Sequence, residues 1–520
     1  MTDPTPDPEP GHGPDDPDYD DPLTPDDILE RAAGKPEGSD SQASRLVALA
    51  NARYRLLRGE DGRPYATERN GPAIVYGLRG RDGLRKRLAN AYFDTYRATP
   101  GGSGLTDATT VLEGMADRAD PEPVGLRVAG VGDRSVALDL AGEDGRCVLF
   151  DPSGWRVGER SPVLFRRSAL TGPLPEPARG GSLDELRRLL NVDEERFRLL
   201  VAWLVAALVP DIPHPILAIT GEQGTAKSTA ARLVVSLVDP SPAPLRTAPH
   251  DVRSWAAAAS ASWIVALDNV SAIQPWFSDT LCKAVTGDGI VERALFTDDD
   301  ITVISFRRCI ALTTIDAGRL AGDLAERLLA IELARIPAGQ RRPDAEINAS
   351  YTRTRPHILG ALLDLTVDVL GALPAVQPDE LPRMADFARI LAALDHVRGW
   401  DTLASYTAAA RDATQAVLES DPVAGAVLAF VGRGGGWRGT ASELLDHITP
   451  ERRPRGWPQT PRALSGALAR LAPALGAHGV IFERETRGSE RLITLRAGDP
   501  SPSKPPAQPS RPSRPSRDLP

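Results

Sequence analysis

Lysine is nearly missing from this chain. Five of its 520 residues are lysine, Lys35, Lys86, Lys227, Lys283 and Lys504, so arginine supplies almost all the positive charge. An isolated arginine is therefore weak grounds for a function, and a lysine inside a motif is correspondingly strong. Cysteine is as scarce: Cys147, Cys282 and Cys309 show no CxxC spacing, which excludes a cysteine zinc cluster or a disulfide framework and fits a reducing, cytoplasmic compartment. Long hydrophobic runs are also absent. The most apolar stretch, LLVAWLVAALV at 199–209, falls far short of the ~20 residues a membrane helix needs, and no N-terminal signal pattern appears, so no membrane partner is expected. Positive charge is wholly absent from residues 1–30, which hold eleven acids. Removing those eleven from the net charge of −9 leaves the rest near +2, so the acidic balance does not exclude a nucleic-acid partner.

A chain of this length needs about three folded units, domains commonly running to ~100–200 residues. Residues 1–40, rich in Pro, Asp and Gly, read as a disordered acidic tail, and residues 497–520 as a disordered Pro/Arg tail. Residues 41–180 read as a mixed α+β N-terminal domain of unassigned role. A helix is expected at 41–54, a hairpin around GEDGRP, and helices near 81–97 and 106–118. Four short β-like runs follow, GLRVAG, SVALDL, RCVLF and WRVGE, divided by GDR, GEDG and DPSG, the punctuation of an antiparallel meander. Asp139 and Asp144 read as ordinary strand and turn acids. Residues 181–400 alternate strand-like and helix-like segments, the pattern of an α/β sheet with crossover helices. A helical connection at 401–420 leads to a C-terminal module at 421–496.

The stretch AITGEQGTAKSTAARL at 218–233 joins an apolar strand to a helix of good formers. Gly221, Glu222, Gln223, Gly224, Thr225, Ala226, Lys227, Ser228 and Thr229 are the candidate nucleotide-binding residues. Their backbone N–H groups and the helix N-terminus favour an anion, with Lys227 on the β and γ phosphates of ATP and Ser228 on Mg²⁺. Ala226 stands where such loops usually carry glycine, and its tolerance depends on the sign of φ there. In SWIVALDNVS, four apolar residues end at Asp268, the second candidate magnesium ligand at the carboxyl end of a strand. Asn269 follows it, where many such ATPases use an acid to activate water. The run RRCIALTTID ends in Thr313 and Thr314, placed to sense the γ-phosphate or orient water. GDLAERLLAIEL carries Arg327, able to reach a neighbouring subunit's γ-phosphate or else to pair locally with Asp323 or Glu326.

The run 216–333 resembles the superfamily 3 helicases, especially the primase-helicase type of phages, plasmids and integrated elements. The resemblance rests on GEQGTAKST, WIVALDN, LCKAVTGDGIVERALFTDDDITVISFRRCIALTT and DLAERLLAIEL, and covers roughly a quarter of the chain. It implies an AAA+-like P-loop NTPase core, a ring of six subunits, and a hairpin around 295–306 pointing into a central channel. Arg293, Arg307 and Arg308 are then candidate DNA contacts. Three departures matter: Ala226 for glycine, Asn269 for an acid, and Thr313 near the family's usual asparagine. Binding carries over more safely than fast hydrolysis.

At 421–496, DPVAGAVLAFV, WRGTASELLDHI and TPRALSGALARLAPAL read as three helices, the second capped by Thr440 or Ser442, the third by Thr460 with Pro461 in its first turn. GVIFERETRGSERLITLR reads as two strands joined at RGSE. Three helices and a two-stranded wing make a winged helix-turn-helix, in which Arg462 and Arg470 on the third helix and Arg484, Arg487 and Arg491 on the wing would meet DNA. Three functions remain open. The first is an ATP-hydrolysing DNA motor, a ring helicase on single-stranded or forked DNA serving replication of a mobile element or defence. The second is a nucleotide-switched DNA-binding regulator, and the third an interaction scaffold with a degenerate site.

Overall fold

The structure, a computed structural model, describes residues 41–498 apart from 81–82, 294–300, 316–323, 379–380, 435, 455–456 and 488–489. The tails expected at 1–40 and beyond 498 lie outside the described residues. The chain divides into two compact units, through Val124 and from Gly125 onward.

In the first unit, helix α1 (Gln42–Arg53) starts where the Ser41 hydroxyl accepts from the Ser44 N–H at 3.1 Å. Strands β1 (Tyr54–Gly59) and β2 (Pro64–Glu68) form the expected hairpin, with β3 (Ile74–Gly77) antiparallel to β2 and the short β4 (Pro121–Glu122) parallel to β1. Helices α2 (Leu84–Tyr96) and α3 (Gly102–Ala116) complete a core around Leu46, Leu49, Leu88, Tyr92 and Leu112.

The second unit begins with the four-stranded meander: β5 (Val128–Gly132), β6 (Ser135–Asp139), β7 (Cys147–Asp151) and β8 (Gly154–Gly158), each antiparallel to the next. Its buried residues Val128, Leu138, Val148 and Phe150 belong to one hydrophobic cluster with helix α4 (Glu194–Ala207) and the central sheet. Asp139, at the end of β6, is bound by the Arg167 guanidinium at 2.7 and 2.9 Å, and Asp144 pairs with Arg146. The apolar run at 199–209 forms most of α4, whose N-terminus Asp193 caps through the Arg196 N–H at 2.8 Å. Residues 199–208 are all buried, as expected of a helix apolar on every side. Among the described residues, no helix is long and apolar enough to cross a membrane.

The central sheet is wholly parallel, with the order β10 (Ile264–Leu267), β13 (Cys309–Thr313), β9 (Ile216–Thr220), β14 (Leu328–Glu332). All of β9 and β13 is buried, as the unbroken apolar sequence of an inner parallel strand requires. Helices α5 (Lys227–Val238), α6 (Val252–Ala261) and α7 (Pro275–Thr286) fall between the strands, and β11 (Gly289–Arg293) pairs antiparallel with β12 (Ile301–Ser305) ahead of β13. Helices α8 (Asp344–Ala372), α9 (Ala385–Arg398) and α10 (Thr402–Ser420) pack onto α4 and each other.

One buried ion pair ties the meander to this sheet. Arg127 is fully buried. Its Nε donates to Asp239 Oδ1 at 2.9 Å, and its Nη atoms donate to the carbonyls of Asp139 and Gly172 at 2.9 and 2.8 Å. Asp239 closes the C-terminus of α5 and accepts the Trp263 and Ile264 N–H groups at the start of β10.

His214 is fully buried just before β9, where its Nε2 meets the carbonyls of Ala206 and Val209 at 2.9 and 3.1 Å. Two carbonyl acceptors require a proton on Nε2, so the neutral ring already satisfies this side. Burial is the main cause that pulls its pKa down to about 4, and the Arg307 charge adds to it. The unfolded histidine takes up its proton near pH 6.5. Stability is therefore full above pH 6.5 and falls as pH drops towards 4, by about 3 kcal/mol in all. Denaturant unfolding at pH 7 and pH 4.5 checks this, with His214→Gln flattening the dependence over that range.

The C-terminal module carries the three expected helices, α11 (Pro422–Gly432), α12 (Ala441–Ile448) and α13 (Pro461–Ala477), and two strands, β16 (Val480–Arg487) and β17 (Glu490–Ala497). A further strand, β15 (Trp437–Thr440), pairs with β17, so the sheet has three strands in the order β15-β17-β16. Thr440, not Ser442, caps α12, in a reciprocal box with Glu443. Thr460 caps α13, and Pro461 is its first residue. The module has its own core around Val427, Leu444, Leu468 and Leu495.

Candidate functional site

Parallel pairing brings the carboxyl ends of β9, β10 and β13 to one edge of the sheet, where ligands of such sheets collect. The 221–228 loop leaves β9 at this edge. Gly221 has φ 142°, and a side-chain carbon there would stand 2.8 Å from Thr225 Oγ1 and 3.0 Å from the Leu333 carbonyl. Glycine is required on both counts. Gly224 turns the loop at φ 86°. Thr225 is buried and braces the turn by donating to the Glu222 carbonyl at 3.0 Å, while Glu222 and Gln223 are exposed.

Ala226 has φ 62° and ψ 33°, the left-handed region. The missing glycine therefore leaves backbone strain, since an L-residue pays ~1–2 kcal/mol there. Ala226→Gly removes that strain but loosens the unfolded chain, so a net gain of roughly 0.5–1 kcal/mol is expected. A thermal midpoint at or below that of the native chain would contradict it.

Lys227 opens α5, and its Nζ donates to the carbonyls of Gly221 and Glu222 at 2.8 Å each, curling back over the loop. The next side chain, Ser228, donates from Oγ to Asp268 at 2.9 and 3.2 Å. Thr313 donates from Oγ1 to Asp268 Oδ1 at 2.6 Å and accepts the Asn269 N–H at 2.8 Å. Ser228, Asp268 and Thr313 thus form one hydrogen-bonded cluster beside the loop, from three elements far apart in sequence. Asn269 has φ 54°, a conformation in which asparagine is several-fold enriched, so its presence after Asp268 has a backbone reason. Thr229 is half-buried on the first turn of α5, and the Thr314 N–H pairs with the Ile219 carbonyl at 3.1 Å. Among the described residues no group of three or more His, Cys, Asp or Glu could hold a metal ion, so a cation here would depend on Ser228, Asp268 and its own ligand oxygens. Cys309 is no nucleophile: it is buried in β13, and burial pushes its thiol well above the ordinary value.

Arg327 ends a short turn (Ala325–Arg327) immediately before β14, and is half-buried. Ile216 pairs with Leu328 and Thr220 with Glu332, so Arg327 lies at the amino end of the sheet, roughly 15 Å of strand from the loop. Its neighbour Glu326 is paired with Arg383 at 2.8 Å. Arg293 is the last residue of β11, and the tip at 294–300 and the Arg293 side chain lie outside the described residues. Arg307 donates to the Thr286 carbonyl at the end of α7, and Arg308 to the Ala259 carbonyl near the end of α6 at 2.6 Å, so both brace helix ends. Arg462 and Arg470 are exposed on α13, Arg484 on the outer strand β16 and Arg491 on the middle strand β17; the Arg487 side chain lies outside the described residues. Glu483 and Glu485 are paired with Arg496 and Arg438. Sequence reasoning passed over Arg341, whose guanidinium lies beside Gly224.

Fold and cluster define a mixed α/β protein whose parallel sheet carries a glycine-rich strand, loop and helix, followed by a separate helix-and-sheet module. Residues 183–416 match the family described as Actinomycete integrative conjugative element replication protein, and residues 423–511 match the AICE RepA C-terminal domain. Both matches support a replication protein. Among solved structures, the apo C-terminal region of NrS-1 is 10% identical with a TM-score of 0.37, covering 86% of this chain and 96% of that one. The JCV helicase is 12% identical with a TM-score of 0.20, over 45% of this chain and 70% of that one. No curated protein matches the chain.

Proposed function

We propose that the chain is an ATP-dependent replication helicase of an integrative conjugative element, built on a P-loop NTPase core of AAA+-like, superfamily 3 type with a C-terminal winged helix-turn-helix. The observation that carries this reading is the joining of Lys227, Ser228, Asp268 and Thr313 at the carboxyl edge of a parallel sheet, on the glycine-rich loop. The strand order supports it, because β13 with its terminal Thr313 stands between the loop strand β9 and the Asp268 strand β10.

ATP is the substrate in this reading. The loop N–H groups and the start of α5 hold the phosphates, and Lys227 exchanges its two loop carbonyls for phosphate oxygens. Ser228 and Asp268 suit Mg²⁺, a hard cation that takes oxygen ligands through one or two carboxylates and the phosphates. When bound, it neutralises charge developing on the transferring phosphoryl group. Thr313 fixes the Asp268 carboxylate and stands where it can orient water. The amino-end position of Arg327 puts it out of reach of its own loop, so it serves a neighbour's γ-phosphate in a head-to-tail ring, hexameric in the simplest form. Single-stranded or forked DNA is the partner, held through phosphates by the channel hairpin and the arginines of the C-terminal module.

Strand displacement tests the reading. The protein with ATP and Mg²⁺ should separate a forked duplex, and no separation under conditions of ATP turnover would contradict it. A specific observation favours a second reading, a nucleotide-switched DNA binder: Asn269 supplies no second acid to activate water. Duplex binding that changes with nucleotide, without unwinding, marks that alternative.

A further inference from the structure

The loop after β14 puts an unpartnered guanidinium against the glycine-rich loop. Arg341 is exposed, and among the described residues it makes no hydrogen bond or ion pair. Its Nη2 stands 3.4 Å from where a side-chain carbon on Gly224 would be. With a C–C bond of about 1.5 Å, the guanidinium is within about 5 Å of the Gly224 Cα.

The segment that presents it is fixed at both ends. At its start the Leu333 N–H pairs with the Thr220 carbonyl at 2.9 Å, and the Ala334 N–H with the Asn191 carbonyl at 3.0 Å. At its end Arg342 donates to the Arg188 carbonyl at 3.1 Å, and Pro343, at φ −61°, immediately precedes α8. Pro337 at φ −56° precedes the single turn Ala338–Gln340. Proline fixes its own φ and holds the residue before it extended. The two consecutive arginines therefore divide the work: Arg342 anchors the loop, and Arg341 is left facing Gly224.

A cation held there serves no stabilising purpose in the free protein. Lys227 already adds a positive charge to the loop, and the start of α5 adds a positive dipole end. Positive groups gathered on one loop fit a multiply charged anion, and an arginine fork fits phosphate oxygens better than a point charge does.

We infer that Arg341 is a polyphosphate contact supplied by the same subunit that carries the loop. This rests on the nucleotide reading above and assigns that site a second cation. Arg341 reaches the phosphates from the Gly224 side, while Lys227 reaches them from the base of α5. Arg327, at the far end of the sheet, belongs to a different site.

The test is equilibrium binding of a fluorescent ADP analogue, with unlabelled MgATP, MgADP and AMP as competitors. It compares the native chain, Arg341→Ala, Arg341→Lys and Lys227→Ala. Arg341→Ala should weaken MgATP and MgADP about tenfold and leave AMP and the thermal midpoint unchanged, the side chain being exposed. Arg341→Lys should recover part of the loss, having the charge but not the fork. If Arg341→Ala binds as the native chain does while Lys227→Ala loses binding, Arg341 is a solvated surface charge and the inference is wrong. If the native chain binds no nucleotide, the nucleotide reading fails and takes the inference with it.

Discussion

On the proposed function, alanine at Lys227 is expected to lower ATP turnover by roughly two to three orders of magnitude, the usual cost of removing one group aimed at the charge of a transition state. The size of the effect follows from the neighbourhood. Lys227 is the first residue of α5, and its ammonium rests on two carbonyls of the loop, while Arg341 stands on the Gly224 side and does not reach the base of α5 in the arrangement inferred above. Lysine is so scarce in this chain that no second one stands in the matched motifs of the loop. The fold should barely notice, because the two carbonyls freed by the change can turn to water. Steady-state hydrolysis beside a thermal melt separates the two effects: turnover should collapse while the midpoint moves little. A variant that melts early would show a structural lysine instead.

Methionine at Arg127 has the largest expected effect on stability. It leaves Asp239 buried without its cation, a loss of about 3–5 kcal/mol where one member of a buried pair is removed. Two carbonyls, of Asp139 and Gly172, lose their donors with it. Asp239 would keep its bonds from Trp263 and Ile264, which hold the charge in place and so prevent it from escaping to water. Adding Asp239→Asn should return part of the loss, because the remaining group is no longer a buried charge. Denaturant unfolding of the single and double variants checks both statements, and a single variant as stable as the native chain would show that the tie contributes nothing.

What the sequence showed of the site is local. Gly221 and Gly224 punctuate an apolar strand and a helix, Lys227 is conspicuous by rarity, and Asp268 closes an apolar run. Such signals lie within a few residues of each other, which is why they were legible. The caps of α12 and α13 were legible for the same reason, a threonine with Glu443 three residues on in one, a threonine before a proline in the other.

The rest depends on backbone angles and distant partners. No residue pattern reveals that Ala226 and Asn269 both have positive φ, although that explains what one costs and why the other is there. Strand β15 is four residues without alternation, formed only because β17 lies beside it. The meander follows the N-terminal segments in sequence, yet its core is shared with α4 and the central sheet, a grouping set by Arg127 reaching Asp239. Arg307 and Arg308 read as candidate DNA contacts in sequence, and only the fold shows the helix ends they bind. Arg341 carries no motif, because only the parallel pairing of β9 with β14 brings its loop to Gly224.

The most direct test of the central claim is steady-state ATP hydrolysis by the full chain with Mg²⁺, measured with and without single-stranded DNA, beside Lys227→Ala. The account predicts turnover in the native protein, a rise when DNA is added, and loss of both in the variant. Native protein that binds ATP through Lys227 but hydrolyses none, with or without DNA, would contradict the motor.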